Sequence, residues 1–225
     1  MLKFTCHGTS AATIEADFDT LIVAGWTGRD TAALEHHIEE LAALGVPRPS
    51  SVPVFYRTSI NGLTQTTRLE VLGPETSGEV EPVVFALESR LWLGVGSDHT
   101  DRKAETMGIA LSKQLCGKVV GKAVWRLDDV AAHWERLEIR SHATIGGKRV
   151  LYQQGALAGM RTPENLISLY NGSRTLEPRT VMFCGTVAAI GGIQPASRFE
   201  IELYDPVLGR SMAHAYDVVA LPVVS

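Results

Sequence analysis

Glu79 and Glu81 stand one residue apart at the head of an apolar stretch, and Asp98 follows seventeen residues after Glu81. In an extended strand residues i and i+2 project from one face, so the two glutamates converge on one point. Neighbouring carboxylates repel and raise each other's pKa unless a cation sits between them. Asp98, in Gly96-Ser97-Asp98-His99-Thr100-Asp101-Arg102 on the next strand, completes an all-oxygen set that suits Mg²⁺ or Mn²⁺ rather than zinc. The reading is a divalent-metal site. Its rival is that Glu79 and Glu81 are the solvated face of an edge strand.

Strand signals dominate the elements that must position these acids. Short β runs are expected over residues 2–6, 20–24, 52–56 and 66–72, bounded by Gly, Pro or polar turns. Residues 79–87 and 91–95 read as a hairpin turning at Glu88-Ser89-Arg90. The clearest helix spans 31–44: Leu34, Ile38, Leu41 and Leu44 recur at helical spacing, Asp30 caps the start and Gly45 ends it. Further helices are expected over 101–115, 128–134 and 163–170, the last with Thr162 as N-cap and Pro163 at the first helical position. The C-terminal half is mostly β, over 138–145, 149–153, 180–184, 198–205 and 214–221, with Gly146-Gly147 and residues 206–210 as hairpin links. Runs of strands with a few short helices predict an α+β fold around a rolled, barrel-like mixed sheet.

A chain of 225 residues with 45% apolar residues can bury a sizeable core. The net charge of −4 and the lack of a basic stripe argue against a nucleic-acid partner. No apolar run is long enough to span a bilayer, and the N-terminus lacks a signal-peptide core, so a cytoplasmic protein is expected. Cys6, Cys116 and Cys184 are an odd set without C-x-x-C spacing, which predicts neither a disulfide framework nor a zinc ribbon. No nucleophile elbow, P-loop or dinucleotide fingerprint is present. His133 and His142 fit packing or surface roles.

The order of motifs resembles the fumarylacetoacetate hydrolase superfamily. Glu79-Val80-Glu81 is similar to its E-x-E strand, and Ser97-Asp98-His99-Thr100-Asp101-Arg102 to the segment that follows. Lys113 falls where that family carries a lysine; Gly147, Gln153, Gly155 and Met160 match the N-G, Q-x-G and Met spacing. Cys184-Gly185-Thr186 is similar to the late T-G-T loop, with Gly191-Gly192 as its continuation. The resemblance covers roughly residues 79–221 and marks a short, divergent branch, placed near the superfamily's bacterial families. Upstream, His37-Ile38-Glu39-Glu40 resembles the family's H-x-x-E helix, whereas Phe55-Tyr56-Arg57-Thr58 departs from its F-L-K-P strand at Arg57 and Thr58.

The region before Pro53 reads as a small N-terminal lobe over 1–52, ahead of a catalytic domain over 53–225, and the resemblance implies a homodimer. It also assigns roles. Glu79, Glu81 and Asp98 would hold Mg²⁺ or Mn²⁺. His37, oriented by Glu40, would be the base, with His36 as the alternative, and Lys113 would meet charge developing at oxygen. Arg57, Gln153, Gly185 and Thr186 would bind substrate, although a buried hydrogen bond is the rival reading for Gln153. Arg102 reads as a salt-bridge partner of a nearby acid, and His99 as a structural neighbour of Asp98. The implied activity is hydrolysis of a carbon–carbon bond in a small 2-oxo-carboxylate of the acylpyruvate type. Decarboxylation, dehydration or isomerisation on the same site is the alternative, and a noncatalytic small-molecule binding protein is a third reading.

Overall fold

A computed structural model describes residues 1–7, 12–43, 48–87 and 89–224, without the side chains of Ala12, Ala33, His37, Glu40, Leu41 and Ala43. The first half of the chain gives β1 (Leu2–Cys6), β2 (Ala12–Ala16), β3 (Thr20–Gly25), α1 (Thr31–Ala43), β4 (Val54–Thr58), β5 (Leu63–Thr64), β6 (Arg68–Leu72), β7 (Thr76–Ser77), β8 (Val80–Leu87), β9 (Arg90–Asp98) and β10 (Thr100–Asp101). The second half gives α2 (Arg102–Glu105), α3 (Ile109–Gln114), β11 (Lys118–Val120), β12 (Ala123–Arg126), α4 (Asp128–Ala131), β13 (Glu138–Ile145), β14 (Lys148–Ala156), α5 (Pro163–Asn171), β15 (Thr180–Phe183), β16 (Arg198–Asp205) and β17 (Arg210–Leu221).

Among the described residues, ten strands form one mixed sheet, ordered β2-β1-β12-β9-β8-β15-β3-β4, with β11 and β5 branching from β9. A second, five-stranded sheet runs β14-β13-β16-β17-β6, and β7 pairs with β10. The result is the expected mostly-β roll with a few short helices. β1, β2 and β3, which belong to the expected N-terminal lobe, hydrogen-bond within the same sheet as β8 and β9.

β8 has β9 on one side and β15 on the other, and all eight of its residues are buried. The edge-strand reading of Glu79 and Glu81 therefore does not hold. One face of β8 places Val83, Phe85 and Leu87 against Phe4, Phe18 and Phe183. The other places Val84 and Ala86 against Leu166 and Ile167 of α5. A strand buried on both faces reads as a continuous apolar run, as Val80–Leu87 does, apart from Glu81.

The expected helix over 101–115 is two shorter ones, because Gly108 takes an extended conformation (φ 165°, ψ 133°) that ends one and opens the next. The segment after Asp128 likewise divides into α4 and a single 3₁₀ turn at Trp134–Arg136. Elsewhere the caps form as the sequence implies: Thr162 accepts from the Asn165 N–H, and Asp30 accepts from the Ala32 N–H at 3.0 Å. Gly45 and Glu88, the expected helix stop and part of the expected turn, lie outside the described residues.

Candidate metal centre and its cleft

Register brings the three acids together. Glu81 lies opposite Gly96 in the β8–β9 ladder, and one step further the Asp98 N–H donates to the Glu79 carbonyl at 3.0 Å. Positions 79, 81 and 98 thus share one face. A carboxylate oxygen from each lies within 4.8 Å of the other two, the cluster of this kind found among the described residues. Glu81 and Asp98 are buried and Glu79 is half-buried.

Three cations face the three acids. Lys113, near the end of α3, donates to Asp98 Oδ2. Lys118 sits 3.1 Å from Asp98 Oδ1, and Arg102 is 3.1 Å from Glu79 Oε1. Arg102 also donates twice to Glu105, at 3.0 and 3.2 Å, and through Nε to Ser77 Oγ at 2.6 Å. Arg102 is therefore the salt-bridge partner that the sequence suggests. Burial works against ionised Asp98, but Lys113 and Lys118 outweigh it and hold the carboxyl below the usual range. Glu81 has no ion-pair partner within 4.0 Å among the described residues. Burial and then Asp98 push its carboxyl well above the ordinary value, with Glu79 adding to them, and Lys113 and the Gly185 N–H do not offset this.

The donor set fits a hard divalent cation. Glu81 is 2% exposed, and its hydrogen bond among the described residues is the one from the Gly185 N–H at 2.7 Å. A buried carboxylate beside two others is costly without a cation to share. All three donors are oxygens, as Mg²⁺ and Mn²⁺ prefer.

The loop after β15 closes this centre from one side. β15 pairs with β8 and, in parallel, with β3, so Gly185 arrives beside Glu81 and Thr27 together. Gly185 has φ +95°, and a Cβ there would lie 1.9 Å from Thr27 Oγ1. Any other residue there would have to displace the Thr27 side chain and hold a positive φ that L side chains rarely adopt. Thr186 Oγ1 donates to the Val80 carbonyl at 2.6 Å. Gln153 is 1% exposed, and its amide is fully used: Oε1 accepts from Val80 N–H and Ser141 Oγ, while Nε2 donates to Thr186 Oγ1 and the Val187 carbonyl. Gln153 thus braces the peptide between the two glutamates, which is its rival reading.

A cleft of about 280 Å³ opens above the acids, lined by Glu79, Lys113, Gly185 and Thr186 and walled by Trp26, Leu34, Tyr56 and Ile109. Lys113 Nζ lies 5.8 Å from the Tyr56 ring centre. Arg57, the next residue on β4, turns the other way, toward Tyr170 Oη (3.4 Å) and Thr20 Oγ1 (3.3 Å). The structure does not bring it to the acids. The side chains of His37 and Glu40 lie outside the described residues; their helix, α1, reaches the cleft through Leu34. His99 is buried behind Asp98, bonded to Tyr216 Oη (3.0 Å) and Thr76 Oγ1 (2.9 Å), and burial with Lys118 and Arg102 nearby lowers its pKa to about 3.

Lys118 escaped the reading of the sequence. It donates to the carbonyls of His99 (2.6 Å) and Cys116 (3.1 Å), and to that of Lys113, while its charge faces Asp98. A signal for it exists: a single lysine opens the apolar run Val119-Val120, and a cation there needs a buried acid opposite.

This roll, with its triad of clustered acids, has a fold of the fumarylacetoacetate hydrolase type. Within it, the chain belongs to the family described as Protein of unknown function (DUF2848), whose model matches residues 24–216. No curated protein matches the sequence. Among solved structures, Cg1458 is 15% identical with a TM-score of 0.63, covering 91% of this chain and 77% of its own. A 2-keto-3-deoxy-D-arabinonate dehydratase complexed with magnesium and 2,5-dioxopentanoate is 15% identical with a TM-score of 0.61, over 92% and 75% of the two chains. The 4-oxalocrotonate decarboxylase from Pseudomonas putida G7, complexed with calcium and acetate, is 13% identical with a TM-score of 0.55, over 88% and 76%.

Proposed function

We propose that this chain is a divalent-metal-dependent enzyme that acts on a small 2-oxo-carboxylate. The observation that carries the reading is the convergence of Glu79, Glu81 and Asp98 beside a cleft lined by Glu79 and Lys113. Glu79, Glu81 and Asp98 would hold Mg²⁺ or Mn²⁺, which when bound supplies Lewis-acid polarisation of the carboxylate and adjacent oxo group. The charges support an anionic substrate: Glu79, Glu81, Asp98 and Glu105 against Arg102, Lys113 and Lys118 leave one negative charge, which a bound dication turns into one positive charge. Lys113, fixed against Asp98, steadies negative charge that develops on the substrate's oxygen. Gly185 and Gln153 hold the acids and the adjoining backbone in place.

The bond that breaks separates two readings. Hydrolysis of a carbon–carbon bond, as in an acylpyruvate, needs an activated water, and the base proposed for it is His37 oriented by Glu40 on α1. Dehydration, decarboxylation or isomerisation needs no such water. A dehydratase and a decarboxylase with this fold, one complexed with magnesium and the other with calcium, favour that second reading. A homodimer and a cytoplasmic home complete the proposal; the three cysteines are buried and free, as a reducing compartment allows.

Calorimetric titration of chelator-stripped protein with Mg²⁺ and Mn²⁺, beside Glu81→Gln, tests the metal. One ion per wild-type chain and none for the variant is the expected result. A screen of acylpyruvates and oxaloacetate in ¹⁸O-labelled water then tells the reactions apart: label in one of two organic fragments means hydrolysis, and CO₂ release means decarboxylation. Metal-dependent binding of oxalate without turnover of any 2-oxo acid would instead identify a noncatalytic binding protein.

A further inference from the structure

The lining of the cleft is of two chemical kinds. Its charged residues are Glu79, Glu105 and Lys113, and its large apolar ones are Trp26, Leu34, Tyr56 and Ile109. The wall is built closely. The Tyr56 ring packs on Gly25, where an added Cβ would meet it at 3.0 Å, and Leu34 packs on Gly28, where a Cβ would meet it at 2.9 Å.

Glu105 lines the cleft beside Ile109, and Lys113 is the cation among the described lining residues. Lys113 is already committed to Asp98. Arg102 is committed to Glu79, Glu105 and Ser77. A first carboxylate at the proposed metal has its counter-charge, whereas a second one further out would find, among the described lining residues, no cation that is not already paired. An unpaired carboxylate moved onto such a surface loses far more than a methyl or phenyl group gains.

Resting on the proposed metal site, we infer that the cleft selects 2-oxo-monocarboxylates whose distal group is uncharged and apolar, and rejects 2-oxo-dicarboxylates of the same length. Trp26, Leu34, Tyr56 and Ile109 are the residues that set this preference.

Oxamates test this without turnover, because they carry the chelating head of a 2-oxo acid. Mg²⁺-saturated protein is titrated calorimetrically with oxalate, N-phenyloxamate and N-(4-carboxyphenyl)oxamate. All three are expected to compete for one site, with the phenyl compound binding tighter than its carboxyphenyl partner by about tenfold or more. Ile109→Arg, at the half-buried first position of α3, supplies a wall-side cation and is expected to narrow or reverse that ratio. Leu34→Ala is expected to weaken N-phenyloxamate several-fold and leave oxalate unchanged. Equal or tighter binding of the carboxyphenyl compound to wild type, with oxalate binding intact, overturns the selectivity alone. If oxalate itself fails to bind the Mg²⁺-treated protein, the metal-site reading falls and the selectivity falls with it.

Discussion

Lys118 shows how one side chain can tie the surroundings of an acid cluster together. Its ammonium is 1% exposed and reaches three carbonyls, on His99, Lys113 and Cys116, as well as the Asp98 carboxylate. It therefore fixes α3's end to the strand that carries Asp98. Lys118→Met should leave those carbonyls a donor short and Asp98 with one lysine, and should lower unfolding stability in urea by about 3–5 kcal/mol. The acids were legible in the sequence because their spacing states a face; Lys118 was not, since its meaning depends on the β9–β11 register that sets it opposite Asp98. Gln153 was legible in position but not in role. Only its four partners show that no part of the amide is left for a ligand.

The β16–β17 hairpin is the element read most completely from sequence, its first strand to the residue, yet what fixes its turn is a buried acid. Asp205 accepts from the Val207 and Leu208 N–H groups at 3.0 and 3.1 Å and is paired with His133 and Arg210. Burial alone would raise its carboxyl; the Leu208 N–H and His133 outweigh that and hold it below the ordinary value. A depressed acid contributes stability above its unfolded pKa, and loses it as pH falls through the folded one. Asp205→Asn should therefore cost about 1–3 kcal/mol at neutral pH. In thermal melts the gap to wild type should shrink below about pH 4, where the unfolded carboxyl protonates. At the end of β15 the constraint is steric. Gly185→Ala, which puts a methyl 1.9 Å from Thr27 Oγ1 at φ +95°, should both destabilise the fold and abolish the heat of metal binding. Helix boundaries between 101 and 115 escaped sequence reading because apolar spacing runs through Gly108, where the backbone extends.

At the scale of the molecule, α3 and the turn before it leave Met107, Leu111 and Leu115 exposed at 77%, 44% and 48%, a stripe at four-residue spacing. With a homodimer proposed, this stripe is the face expected to be covered. Light scattering should give a dimer mass for wild type, and the pair Leu111→Glu with Leu115→Glu should give a monomer; a monomeric wild type would remove the proposal. Which strands exist was largely readable, but not who pairs with whom. β3 lies beside β15 in register from Thr20↔Thr180 to Val23↔Phe183, a partnership that no local pattern announces. That pairing also sets a timetable for synthesis. Glu81 emerges early from the ribosome, but the strand that flanks β8 and delivers the Gly185 N–H comes about a hundred residues later. Until then the nascent chain carries a two-faced apolar strand with one side open and an acid cluster without its lid. Ribosome-stalled chains ending near residue 160 should neither retain Mn²⁺ nor resist protease across β8, whereas chains released past residue 216 should do both. The interval between is when this protein has most need of a chaperone.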